Sequence, residues 1–378
     1  MAAAMNPLIQ YPRVLFDFGA VRALPGELEN LNVKRPLFLT DRGVVNAGVF
    51  GKVREAMGGA QIVAFEDVPE NPTVDGVERA LSLYRERGCD GVVSVGGGSV
   101  IDSSKAVAVV AGHGGRIGEF LGQGGKVGPK TAPHIAVPTT SGTGSEVSRG
   151  AGIHPSSTER GSSIGGPYVV ARVAICDPEL TLSLPRQLTA ATGMDALSHA
   201  VEGYLAKANN PVGDAIALDS IRRVFTWLPR AVANGGDREA RWHMMMASME
   251  AMLVAKGLGA VHALGNTFGD QGLHHGTLVT IAMPAVLRQM EQKLGEKIAE
   301  RMTQMAQAMM LEPGRHAAAG IADLNERLGL PSSMRAYGYK LVDIEEVAAA
   351  CHESHFNQTA PYHPSVDDYK ELIRELMG

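Results

Sequence analysis

Between residues 37 and 110 the chain alternates three times between a short apolar run and a helix-periodic stretch: 37–40 then 53–57, 62–65 then 74–86, and 91–95 then 100–110. Such runs have no polar face to turn towards water, so they belong in a sheet covered on both sides. Crossover helices between parallel strands supply that cover. The expectation is an α/β domain with a parallel sheet over residues 1–185. After Pro185 the β-branched runs give way to helical periodicity over 188–205, 215–228 and 240–254, which predicts an all-helical second domain over 186–378. Methionines at helical spacing there (Met244, Met245, Met246, Met249 and Met252; Met302, Met305, Met309 and Met310) read as adaptable core packing.

Twenty of the 45 glycines fall between residues 88 and 166, where backbone must come closest to something. Residues 91–105 read GVVSVGGGSVIDSSK: a buried strand runs into Gly96, Gly97 and Gly98, then into a helix carrying Ser99, Asp102 and Lys105. Glycine lets backbone amides approach an anion, and a helix N-terminus favours negative charge, so a pyrophosphate fits here; a tight strand-to-helix turn would also need glycine. A second loop, PTTSGTGSE at 138–146, follows the apolar run 134–137 and brings Thr139, Thr140, Ser141 and Thr143 to the same edge of such a sheet. Asp41 ends the run 37–40, where a carboxylate can accept ribose hydroxyls and repel a 2′-phosphate, or can cap a helix.

The second half carries a different constellation. Asp195 and His199 in GMDALSHAVEGY are one helical turn apart and project from one face. Further on, VHALGNTFGDQGLHHG places His262 on a helical segment and His274–His275 after a glycine-containing loop. One aspartate and three histidines suit Fe²⁺ or Zn²⁺ with a position left for substrate oxygen; spacing leaves His274 and His275 equivalent. His352, His355 and His363 cluster in CHESHFNQTAPYHP, either as a surface loop or as a pocket rim, whereas His113, His134, His154, His243 and His316 show no partner spacing.

Charge and cysteine usage exclude other classes. Lys+Arg 35 against Asp+Glu 40 gives a net charge of −5, which offers no basic surface for nucleic acid. Cys89, Cys176 and Cys351 have neither disulfide-framework nor CxxC spacing, and the opening MAAAMNPLIQYPR lacks a secretory pattern. With no apolar stretch of membrane-spanning length, a cytoplasmic location is expected.

The series GGGSVID at 96–102, PTTSGTGSE at 138–146, DPELTLSLP at 177–185, ATGMDALSHAVEGY at 191–204, GLGAVHA at 257–263 and His275–Gly276 resembles the iron-containing (group III) alcohol dehydrogenase family. Phe18–Gly19, Thr40–Asp41 and Asn71–Pro72–Thr73 extend the likeness over nearly the whole chain. The resemblance implies a dehydroquinate synthase-like architecture: an N-terminal dinucleotide-binding domain and a C-terminal metal-binding domain, with cofactor and metal in the cleft between them. It implies metal ligation by Asp195, His199, His262 and His275, and cofactor contacts from Asp41, Asn71, Gly96, Gly97, Gly98, Ser99, Asp102, Thr139, Thr140, Ser141, Thr143 and Val147. The implied activity is NAD(P)-linked interconversion of a small alcohol and its aldehyde by a cytoplasmic homodimer, with Fe²⁺ or another divalent ion such as Zn²⁺. A glycerol-dehydrogenase- or dehydroquinate-synthase-like relative, or a non-catalytic nucleotide binder, is the alternative.

Two departures from the family pattern bear on substrate. Asn266 stands where a second histidine usually follows four residues after His262, which makes Asn266 a candidate catalytic-site residue beside His262 and His275. A lysine common shortly before DPEL is absent, leaving Arg160, Ser162 and Ser163 nearby.

Overall fold

The computed structural model of the chain describes residues 11–156, 161–254 and 256–378; Arg160 and the first ten residues, which include most of the opening segment read for a leader, lie outside the described residues. Two compact units divide between Leu184 and Pro185.

The first unit runs β1 (Arg13–Phe16), α1 (Leu24–Asn30), β2 (Pro36–Leu39), α2 (Arg42–Asn46), α3 (Val49–Ala56), β3 (Val63–Phe65), α4 (Val74–Glu86), β4 (Gly91–Gly96), α5 (Gly98–His113), β5 (His134–Pro138), β6 (Gly150–Ile153), β7 (Ser162–Gly165) and β8 (Val173–Cys176). Six strands make one parallel sheet in the order β1-β8-β5-β4-β2-β3, and β6 and β7 form a separate antiparallel pair. Successive strand residues point to opposite faces. Leu37, Leu39 and Val92 accordingly pack with Val77, Leu81 and Val107 of α4 and α5. Phe38, Val93 and Val95 pack with Leu24, Phe50 and Val53 of α1 and α3. Both faces are covered, which is why the strands read as unbroken apolar runs.

Strand order fixes where a ligand can enter. From β2 the chain moves outward to β3, whereas from β4 it moves the other way to β5, so neighbours β2 and β4 form a switch point with a crevice beyond their carboxyl ends. In register Leu39 lies opposite Ser94, and Gly96 opposite Pro138. Asp41, the glycine triplet and the loop after Pro138 therefore leave the sheet at one edge.

The second unit is helical, with no strand among its described residues: α6 (Arg186–Leu205), α7 (Pro211–Ala233), α8 (Arg238–Leu253), α9 (Ala260–Phe268), α10 (His275–Leu294), α11 (Glu296–Ala308), α12 (Ala317–Leu328), α13 (Met334–Tyr337), α14 (Ile344–Glu353) and α15 (Val366–Met377). At its centre is α6, buried from Thr189 to Leu205, with Met194, Leu197 and Val201 packed among residues such as Val224, Leu228 and Leu278. Met244, Met245, Met249, Met302, Met305 and Met309 are core residues as their spacing suggests. Met310 departs from that reading, because it takes a positive φ of 58° just past α11 and turns outward. No helix among the described residues is long and apolar enough to cross a membrane, and all three cysteines are free and buried.

Gly276, in the first turn of α10, touches the backbone of α6: a Cβ placed there would lie 2.5 Å from the carbonyl oxygen of Ala191. Alanine is the better helix former by about 1 kcal/mol, but forcing two packed backbones apart costs roughly 1–3 kcal/mol, so the clash wins. Gly276→Ala should lower stability in denaturant unfolding despite its helix propensity. An unchanged midpoint would mean that α10 can shift freely.

Candidate metal and dinucleotide sites

Three helices of the second unit converge on one cluster. Asp195 and His199 come from α6, His262 from the first turn of α9, and His275 opens α10, brought close to α6 by the bare backbone at Gly276. Ligand atoms of Asp195, His262 and His275 all lie within 4.8 Å of one another, with His275 Nε2 3.7 Å from Asp195 Oδ1. His199 is adjacent, its ring 4.6 Å from that of His262, but it lies outside this close trio. His274 caps α10 and receives its main-chain contact from Tyr337, whose hydroxyl accepts the His274 N–H at 3.2 Å.

The trio fits a cation. Asp195 Oδ1 and His262 Nε2 are buried without a hydrogen-bond partner, a costly state that an ion would relieve. Burial holds His275 down at about pKa 4 against the opposing pull of Asp195, with the neighbouring His262, His199 and His274 adding to the depression. A neutral imidazole keeps its lone pair for coordination, and a carboxylate with imidazoles suits borderline divalent ions such as Fe²⁺ and Zn²⁺.

Sequence reasoning missed the group that orients this set. Buried Glu202 accepts from His262 Nδ1 at 2.5 Å and, through its other oxygen, from the Val261 N–H at 2.7 Å. This fixes the tautomer of His262 and aims Nε2 at the cluster, the usual carboxylate–histidine support of a metal ligand. Its signal was legible: Asp195, His199 and Glu202 are spaced i, i+4 and i+7, on one face of α6. Phe356 had no comparable signal, yet its ring lies 5.8 Å from that of His262, with His355 4.1 Å beyond it. His352 and His363 instead stack on one another at 4.5 Å and bond main-chain carbonyls, bracing their loop. Asn266 is exposed on α9, one turn after His262.

In the first unit the two glycine-bearing loops touch. A Cβ on Gly98 would lie 2.6 Å from Thr143 Cγ2, one on Gly97 3.2 Å from Thr140, and one on Gly96 2.5 Å from Val100. The triplet is thus required by protein packing as well as by any phosphate. Thr139 N–H donates to the Gly96 carbonyl at 3.0 Å, Ser141 Oγ is buried without a hydrogen-bond partner, and Val147 is buried. Ser99 Oγ donates to the Glu70 carbonyl, tying the turn that carries half-buried Asn71 to the start of α5. Asp41 Oδ1 caps α2 by accepting from Val44 N–H at 2.9 Å. Both Asp102 oxygens are engaged within the protein, Oδ1 with Ser145 Oγ at 2.5 Å and Oδ2 with the Gly152 N–H at 2.8 Å.

Residues 12–178 match the family of iron-containing alcohol dehydrogenases, and residues 189–377 match the C-terminal part of the Fe-containing alcohol dehydrogenase family. The 4-hydroxybutyrate dehydrogenase of Cupriavidus necator is 44% identical over 373 residues, covering 96% of this chain and 97% of that protein. A crystal structure of 1,3-propanediol oxidoreductase superposes with a TM-score of 0.91 at 30% identity, over 99% of this chain and 100% of that one. Sulfoacetaldehyde reductase from Bifidobacterium kashiwanohense, solved in complex with NAD+, superposes with a TM-score of 0.88 at 27% identity, over 100% of this chain and 99% of that one.

Glu202→Gln keeps the shape of the side chain and removes its charge. It should weaken Zn²⁺ binding, measured by calorimetric titration, by roughly 10- to 100-fold. Wild-type affinity in a folded variant would show that His262 needs no such support.

Proposed function

Because this chain belongs to the iron-containing alcohol dehydrogenase family, and is with it a metal-dependent alcohol dehydrogenase, we propose that it interconverts a short ω-hydroxy acid and its semialdehyde, using NAD and Fe²⁺. The observation that carries the reaction is the trio of buried Asp195, buried His262 and half-buried His275, with Glu202 behind it. The substrate class rests on the 44% identity to a 4-hydroxybutyrate dehydrogenase across nearly the full chain. When bound, a divalent ion supplies Lewis-acid polarisation of the substrate oxygen, and the nicotinamide supplies or accepts the hydride.

The chain's own residues do the rest. Asp195, His262 and His275 would hold the ion, with His199 turning in as a fourth ligand as the family pattern implies. Glu202 holds the Nδ1 proton of His262, so that imidazole does not serve as the proton carrier. Asn266 can donate and accept hydrogen bonds but cannot carry a proton near neutral pH, so it orients substrate while the proton leaves through solvent or hydroxyl groups. The first unit supports dinucleotide binding through the start of α5 and the loop 139–147. A cytoplasmic homodimer, also carried over from the family, is checked by light scattering and fractionation.

A panel of alcohols and aldehydes, assayed with Fe²⁺, Zn²⁺ or chelator, tests the reading. The 4-hydroxybutyrate and succinate semialdehyde pair should show the highest kcat/KM, chelation should abolish turnover, and Asp195→Ala should do the same in a folded chain. Asn266→Leu should change the substrate profile more than the KM for NAD. Full activity in a metal-free preparation sinks the metal assignment, and indifference to chain-end carboxylates sinks the substrate class.

Cofactor choice has its own test. With Oδ1 of Asp41 committed to the helix cap, the second oxygen remains to accept from a ribose hydroxyl and to repel a 2′-phosphate, a preference for NAD of about 1–3 kcal/mol. Asp41→Ser keeps a capping oxygen and removes the charge. That variant should narrow the ratio of kcat/KM for NAD over NADP; a wild type preferring NADP would make Asp41 a cap alone.

A further inference from the structure

We propose that Lys105 and Asp102, one turn apart on α5, are a positioning pair that holds the 139–147 loop against the N-terminus of α5, preforming the phosphate cradle. This rests on the dinucleotide reading above.

Lys105 is a lysine with no exposed side chain, and its three ammonium protons have three acceptors: Ser145 Oγ at 3.0 Å, Ser148 Oγ at 2.7 Å and the Gly150 carbonyl at 2.7 Å. Asp102 accepts from Ser145 Oγ and from the Gly152 N–H, and its Oδ1 lies 3.7 Å from Lys105 Nζ. Every one of these partners, apart from the pair itself, lies between residues 145 and 152. Lys105 therefore spends all three of its protons, and Asp102 both of its oxygens, on the chain segment that ends the threonine- and serine-rich loop.

The effect reaches the start of the helix through contacts already described. Ser145 bridges the pair, donating to Asp102 while accepting from Lys105, and its own N–H donates to Thr143 Oγ1 at 3.2 Å. Thr143 sits against Gly98, the first residue of α5, where even a methyl group would collide. A shift of the 145–152 segment would thus move Thr143 relative to the amides that open the helix. Burial lowers the Lys105 pKa against the opposing pull of Asp102 and Glu146, and raises that of half-buried Asp102 against the pull of Lys105, so a change at either position unbalances charges held away from water. A requirement for packing alone would be met more cheaply by apolar side chains.

The test is Lys105→Met in the full chain, which keeps the length of the stem. NADH affinity by fluorescence titration should fall about 10-fold or more, because small misplacements of binding groups are expensive. ADP-ribose, which carries the pyrophosphate without nicotinamide, should lose affinity in step. Zn²⁺ affinity, and KM for the alcohol at saturating cofactor, should stay at wild-type values, a split that a general loss of stability would not produce. Should that variant fail to fold, Ser148→Ala removes one acceptor and should weaken NADH and ADP-ribose binding by roughly 3- to 10-fold. Wild-type ADP-ribose affinity in a folded Lys105→Met chain, or in Ser148→Ala if the first does not fold, overturns the proposal. Failure of the wild type to bind either dinucleotide overturns the cofactor reading itself, and the proposal with it.

Discussion

A helix buried on every side has no water to solvate its polar groups, and α6 carries Asp195, His199 and Glu202 along one face of such a helix. Each must find a partner inside the protein or cost more than a typical core contact returns. Much of the second unit follows from that demand. Glu202 bonds both the first-turn backbone of α9 and the His262 ring, which sets where α9 begins and how its histidine points. Gly259, the residue before α9, would bring a Cβ to 3.0 Å from the same carboxylate, so the entry to the helix is shaped by this contact too. Asp195 faces His275, whose helix can come close only because Gly276 has no side chain.

The first unit meets an equivalent demand with the charges exchanged. There the buried helix is α5, and its fully buried charge is Lys105, paired with Asp102 one turn earlier. In both units some of the residues expected to touch ligand sit at helix starts or in loops, Gly98 and Thr143 in the first and His262 and His275 in the second, with a buried ionisable side chain standing behind them. Loops and helix starts are intrinsically the least constrained parts of a fold. Tying each to a buried charge makes displacement costly, since moving the loop or helix start would strand that charge.

How much of this is legible in the sequence depends on whether the signal is local. The alternation through 37–110 exposes the strands and crossover helices because burial on two faces leaves an apolar run that nothing else explains. Asp195 and His199 are legible because helical spacing alone puts them on one face. The same spacing includes Glu202, which reads as one more helix former until its partner on α9 is known. Phe356 lies far along the chain from His262, and no periodicity links them; only the packing of the turn at 355–358 brings the rings together. Asp102 is a different case. Its place in a recognisable motif suggests a ligand contact, and the structure adds protein partners that the motif does not reveal, Ser145 and Gly152. The three glycines, read as space for a phosphate, also leave space for Val100, Thr140 and Thr143.

Charge balance links the metal cluster to the kind of substrate it can take. Asp195 and Glu202 are two carboxylates in one buried neighbourhood, and His275, with its proton affinity depressed by burial, adds no positive charge. A divalent ion there brings the sum to zero, which a buried site tolerates best. An additional anion, such as the tail of a hydroxy acid, would find no uncompensated cation among these residues. It must lie where water or hydrogen-bond donors can solvate it. Asn266 is exposed one turn beyond His262 and offers two amide protons without a titrating group. An imidazole at that position would offer at most one proton per nitrogen and a charge that varies with pH. For the proposed substrate, which would carry its own fixed negative charge, a constant neutral donor at position 266 would keep recognition independent of the protonation chemistry at the ion.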